Sequence, residues 1–245
     1  MEAAVYQLRR FVNEYGDTGK AEIHAAVPKR VLSMDVDEAE KYLYCGPLVK
    51  DGVLYIVFRS DRLYVNLDDG LDPIKLTRAL SETPAASAAT LSPTVKVSIA
   101  KNYDPKAEQL RVAVAEAVNV PDLKLVPNFE HNYGAMKAAQ AAGVSVRSGW
   151  EDALARATAD YFAELASQLK RHKIATDDIL QEAFVDVVSK REVVLRAVGE
   201  LKKPGAKCES SFEDGRLYIN FMPKTFWVNA SEAGSMLVDR LSEVA

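Results

Sequence analysis

Apolar residues recur every three or four positions in some stretches of the chain and every second position in others. This change of period divides the sequence into elements. Val5, Leu8, Val12 and Tyr15 share one helical face, which predicts a helix from Glu2 to about Tyr15 with Gly16 as its stop. Residues 17–44 read as mostly helical, with Pro28 interrupting one pattern and Asp35-Val-Asp-Glu38 opening another. From Val53 to Phe58 the period becomes two, with Leu54, Ile56 and Phe58 on one face and Val53, Tyr55 and Val57 on the other. Asp51-Gly52 is a strong hairpin signal, because a two-residue type I′ turn needs positive φ at both positions. A third strand, Leu63 to Asn66, completes a meander, and Asp72-Pro73 caps a helix to about Glu82.

Residues 83–94, rich in alanine, serine and threonine with proline near each end, read as a linker. Val95, Val97 and Ile99 alternate and predict a short strand. Asp104-Pro105 opens a helix to Val118, and Leu123 to Val126 predicts another strand. Helical periods then cover 129–142 and 150–172. Thr176-Asp-Asp178 starts a further helix, whose apolar face from Ile179 to Val198 runs to about Gly199. Strands follow at 210–213, 216–221 and 225–229, then a helix from Glu232 to Val244.

Two of these stretches are alike in residues as well as in period. Asp51–Asn66 and Asp214–Asn229 align without a gap and agree at 8 of 16 positions, where chance gives about one. The alignment extends back to Cys45 and Cys208. The expected fold is therefore α+β: two copies of a three-stranded antiparallel meander followed by a helix, packed with a central helical segment about a pseudo-twofold. The corresponding divisions are 1–82, a linker at 83–94, a central segment at 95–175, and 176–245. The copies agree at Leu54, Ile56 and Phe58, which marks an inner face. They differ at Val53 against Arg216 and at Val57 against Asn220, as an outer face tolerates.

Composition narrows the function classes. The chain has 245 residues, 48% hydrophobic and 27% charged, with a formal net charge of −4. These are the proportions of a folded domain, and a poor electrostatic basis for binding nucleic acid. The basic runs at Lys170–Lys173 and Lys202–Lys207 fall near helix ends, where cations complement the dipole. The segment entering the last helix, Asn229–Gly234, carries Glu232 and no lysine. No leader pattern or bilayer-length apolar run is visible, so the expected setting is cytoplasmic, with no membrane partner. Two cysteines are too few for a disulfide framework or a structural zinc site, and no metal or cofactor is expected. A pseudo-twofold would bring Cys45 and Cys208 together; the plainer reading is two buried thiols.

Nucleotide-loop, nucleophile-elbow and zinc-helix motifs are absent. The most reactive-looking segment is Pro127–Gly134, where Glu130, His131 and Tyr133 offer an acid–base set; a capped helix start explains the same residues. Asp177, Asp178, Gln181 and Glu182 read as a helix first turn rather than a metal site. Tyr55 and Tyr64, matched by Tyr218 and Trp227, form the second candidate. They are outward aromatics that either fill a seam or present an apolar platform to a ligand. The expected function is a non-catalytic binding or assembly protein that holds a small molecule or protein in a groove or on a sheet face. The alternative is an enzyme working through Glu130, His131 and Tyr133. An exposed sheet edge would also permit a homodimer.

Overall fold

In the computed structural model, described for residues 2–63, 65–66, 69–83 and 91–244, the chain is mixed α/β and forms two compact units. These are Met1–Val97 and Ser98–Ala245, each with its own small sheet.

The first unit opens with α1 (Glu2–Ala26), which buries Ala4, Phe11 and Tyr15 at helical spacing. Gly16 does not stop this helix. It takes φ 57° and ψ −144°, a conformation open to glycine, and the helix resumes beyond the kink. The chain then turns through Arg30, at φ 55°, into β1 (Leu32–Val36), where helix was expected. The hairpin of β2 (Cys45–Lys50) and β3 (Val53–Phe58) is the one the sequence predicts: Asp51 and Gly52 take φ of 53° and 74°. In α2 (Pro73–Ser81) the Asp72 carboxylate accepts the N–H groups of Ile74 and Lys75. Leu71, Leu76 and Leu80 join Phe11, Tyr15, Leu54 and Ile56 in one core.

The sheet is not a meander. Its order is β1-β3-β2, with β2 antiparallel and β1 parallel to β3. The expected third strand, 63–66, has no strand structure among its described residues, and Tyr64 lies outside them. Parallel β1 takes that place from upstream.

The strand expected at 95–99 is likewise helical: α3 (Pro93–Ser98) runs into a π-turn at Ile99–Tyr103. In the second unit, α4 (Ala107–Val118) leads to β4 (Lys124–Val126), α5 (Phe129–Ala141), and α6 (Trp150–Arg171), whose Leu154, Phe162 and Leu165 are fully buried. The helix expected to reach Gly199 ends early: α7 spans Asp178–Val187, and Val188 and Arg191 leave helical geometry. Val193 and Val194 then lie in β5 (Glu192–Ala197), where branched side chains suit a buried strand. The β6 (Cys208–Glu213) and β7 (Arg216–Phe221) hairpin turns through Asp214 and Gly215, at φ 52° and 71°. The sheet order is β4-β5-β7-β6, with β4, β5 and β7 parallel. The strand expected at 225–229 is a 3₁₀ turn from Pro223 to Thr225, followed by Trp227 and Asn229 at φ 60° and 50°. Positive φ breaks an extended run. Two short helices, α8 (Glu232–Ser235) and α9 (Leu237–Val244), close the chain.

The two sheets repeat one hydrogen-bonding scheme. Lys29 N–H donates to Gly52 O and Lys190 N–H to Gly215 O; Asp37 N–H meets Phe58 O and Val198 N–H meets Phe221 O. After the hairpin, Val65 N–H bonds Arg62 O, and Val228 N–H bonds Thr225 O. Leu32 pairs with Leu54, as Val193 pairs with Leu217.

Candidate functional site

The Pro127–Gly134 segment caps a strand edge. Asn132, fully buried on α5, donates through Nδ2 to Pro127 O (2.9 Å) and Leu195 O (3.1 Å) and accepts Ala197 N–H at 2.7 Å. His131 places Nε2 3.1 Å from Ala197 O, a contact that requires the proton on that nitrogen. Before them, β4 covers the same edge, with Lys124 N–H on Arg191 O. Backbone groups of β5 that point away from β7 thus find partners in β4, Asn132 or His131.

This geometry separates the three residues nominated for catalysis. Glu130 and His131 are exposed, whereas Tyr133 is 1% exposed with its ring 5.4 Å from Trp150. Sequence reasoning counted Asn132 only as a hydrogen-bonding neighbour of the acid–base set, yet it is the member of the segment with the most structural work. A buried amide satisfying three backbone groups leaves no periodic signal.

Outward aromatics occupy varied settings. Tyr55 and Tyr218 are half-buried at equivalent positions of β3 and β7. Over Tyr218 the Arg196 guanidinium lies 3.9 Å from the ring centroid, while donating to Asn220 Oδ1 and Glu213 Oε2, each at 3.0 Å. Burial works to raise the Glu213 carboxyl, but hydrogen bonds from Arg196 and Ser211 outweigh it and hold it below the usual glutamate range. Trp227 is half-buried too. Its indole N–H donates to Asp160 at 2.9 Å, its backbone N–H to the Tyr161 hydroxyl at 3.0 Å, and Arg147 lies over its ring. Tyr64 lies outside the described residues.

A cleft of about 360 Å³ in the second unit is lined by Lys203, Cys208, Glu209, Glu232, Met236 and Arg240 among others. Its carboxylates hold the backbone. Glu209 accepts Lys202 N–H (2.8 Å), Lys203 N–H (3.0 Å) and Arg240 Nη2 (3.2 Å). Glu232 accepts Lys207 N–H and the Asn229 amide, both at 2.8 Å. In the first unit Gly46 stands where Glu209 does, and a Cβ there would fall 2.4 Å from the Tyr42 ring. Both cysteines are buried thiols, and burial, aided by Glu232, pushes Cys208 up to about 12. No cluster of three or more His, Cys, Asp or Glu able to hold a metal occurs among the described residues. Nor is any described helix long and apolar enough to cross a membrane.

The first unit treats the same strand position differently. Leu32, Met34 and Val36 of β1 are 41%, 54% and 41% exposed. Their counterparts in β5, Val193, Leu195 and Ala197, are 0%, 0% and 5% exposed. In β5 the flank is occupied by β4 and α5, both supplied by the segment between the two hairpins. Sheet order places β1 at an edge. Since Val31 O and Asp37 N–H are bonded to β3, the alternating ladder spends residues 31, 33, 35 and 37 inward and turns the N–H and C=O of Leu32 and Met34 outward. Val36 is closed off, because the Asp35 carboxylate takes its N–H at 2.8 Å and Glu38 N–H takes its carbonyl at 3.0 Å. Comparison of the chain with family models, with curated proteins and with solved structures finds no match to set beside this geometry.

Proposed function

We propose that the protein is a non-catalytic binding or assembly protein whose working surface is the β1 edge of its first unit. The observation that carries this reading is the contrast between two strands in the same scheme. The apolar positions sealed in β5 are open in β1, and an accessible apolar edge is a template for another strand. We read Leu32–Asn66 and Val193–Asn229 as copies of one β-strand–hairpin–turn unit, of which the second carries its own cover and the first, among the described residues, does not. The polar residues of the second unit support the same reading from the opposite side, because Asn132, His131, Glu209 and Glu232 all serve backbone groups. Tyr218 beneath Arg196 offers the same class of function a second, aromatic surface for a small molecule or protein.

Amide hydrogen exchange in dilute protein tests the reading. The amides of Leu32 and Met34 should exchange freely while those of Val193 and Leu195 are protected. Equal protection at the four positions would mean that the β1 edge is covered within the chain, and the proposal would fail.

A further inference from the structure

Resting on that reading, we infer that the occupant of the β1 edge is a second copy of this chain, paired antiparallel through β1 in a register centred on Ser33.

Three observations select this partner. The first is the pattern of open backbone groups. With Ser33 opposite Ser33 of the second copy, Leu32 faces Met34 in both directions. The four hydrogen bonds then formed use the N–H and C=O of Leu32 and Met34 in each copy, and leave the internally closed Val36 undisturbed. A register centred on Met34 would instead need the Val36 N–H that Asp35 already holds.

The second observation is charge. Lys29-Arg30 precedes the strand, and Asp35, Asp37 and Glu38 lie at its other end and just beyond. Lys29, Arg30, Asp35 and Glu38 are exposed. Antiparallel pairing in this register sets the basic end of one copy against the acidic end of the other, with Lys29 across from Asp37. Parallel pairing sets like against like, which disfavours it.

The third is apolar match. Leu32 and Met34 lie on the sheet face that carries Leu54 and Ile56 into the core, so cross-strand Leu32–Met34 pairs extend that face across the junction. A twofold makes the contact isologous and closed: two three-stranded sheets become one of six strands, and the edge is consumed. With one short strand a side, the interface belongs to the small, transient class.

Sedimentation of the full chain from about 1 μM to about 1 mM, the range in which small interfaces associate, should show a reversible monomer–dimer equilibrium. The double reversals K29E/R30E and D35K/E38K should each be monomeric, and mixing them should restore a heterodimer. Ser33→Cys supplies the register test. Opposed residues at a non-hydrogen-bonded antiparallel pair have Cα atoms about 4.5 Å apart, within disulfide reach. Oxidised glutathione should therefore link Ser33→Cys into a covalent dimer, and link Asp35→Cys far more slowly. Three results would each overturn the inference: a monomer throughout the range, dimers that survive both charge reversals, or equal cross-linking at the two positions. These outcomes are separable from failure of the underlying reading. A chain that stays monomeric with freely exchanging Leu32 and Met34 amides keeps the open edge and loses only the self-partner.

Discussion

The Cys208 thiol donates to the backbone carbonyl of Asn229 at 3.2 Å, and Cys45 makes the same bond to Asn66 at 2.9 Å. In both places the asparagine is left-handed, at φ 50° and 53°. Cysteine and asparagine recur at the ends of the aligned stretches because together they fix where the chain leaves the hairpin. A small buried donor reaches a carbonyl turned inward by a residue that tolerates positive φ. Neither thiol is spent on a disulfide.

Removing the donor should therefore cost stability without touching any surface. Cys208→Ala removes one of the two donors to the Asn229 carbonyl, which keeps the Glu232 N–H at 2.9 Å, and takes the sulfur out of a buried site. It should lower unfolding free energy by about 1 kcal/mol. Urea titration would show it as a lower midpoint with unchanged slope. The native protein should resist maleimide at both cysteines, since both are buried and burial holds Cys208 at about 12. Rapid native labelling would contradict this picture.

Asn132 should outrank every other residue of its segment. Asn132→Leu strips partners from Pro127 O, Leu195 O and Ala197 N–H at once. At about 1–3 kcal/mol for a buried group left unsatisfied, and with non-additive costs, a total of about 3 kcal/mol is expected. Glu130→Gln, at an exposed position, should change the midpoint negligibly. Thermal or urea unfolding of the two variants side by side would settle the ranking.

Acid should loosen the junction between β6 and α8. The Lys207 N–H bond, opposed by desolvation and joined by Asn229, holds the Glu232 carboxyl below its ordinary 4.5. A depressed folded value means that the stability it lends is present above the ordinary glutamate range and is lost as pH falls through the folded value. Glu232→Gln should lower the unfolding midpoint at neutral pH, where the carboxylate lends its stability. It should also flatten the acid limb, so that the two proteins converge as pH falls below the folded value; a pH series of unfolding midpoints would reveal it.

Gly234 marks a close approach between α8 and α6. A Cβ there would lie 2.3 Å from the Gln168 Cβ, a side-chain root rather than a flexible tip. Gly234→Ala should cost about 1–3 kcal/mol through overpacking, whereas alanine at Gly199, where nothing lies within 4 Å, should cost little. A calorimetric comparison that found the two equal would refute the contact.

Local chemistry was legible where local chemistry decides. Asp51-Gly52 and Asp214-Gly215 determined both hairpins, because a type I′ turn leaves few residue choices. Asp72-Pro73 determined the start of α2, and period two the buried Leu54 and Ile56. Strands β1 and β5 were illegible for a definite reason. A parallel partner has no adjoining turn to announce it, and both strands gain their ladder only after the later hairpin exists. Until then Glu192–Ala197 continues a helical period as readily as it forms a strand. The positive φ at Trp227 and Asn229 likewise depends on what Tyr161 and Cys208 hold from elsewhere. Sequence alone thus determined two similar hairpins and the burial of Leu54, Ile56, Leu217 and Ile219. It did not determine which face is solvated: Val53, Val57 and Asn220, expected on the open side, are buried too, because helices or turns pack on both faces. Tertiary structure decided which flank each sheet closes. In the second unit β4, His131 and Asn132 reach β5 from about sixty residues upstream and saturate its backbone; in the first, no described element does so for Leu32 and Met34. Hydrogen-bond saturation is a property of what packs beside a strand, and the strand's own residues do not encode it.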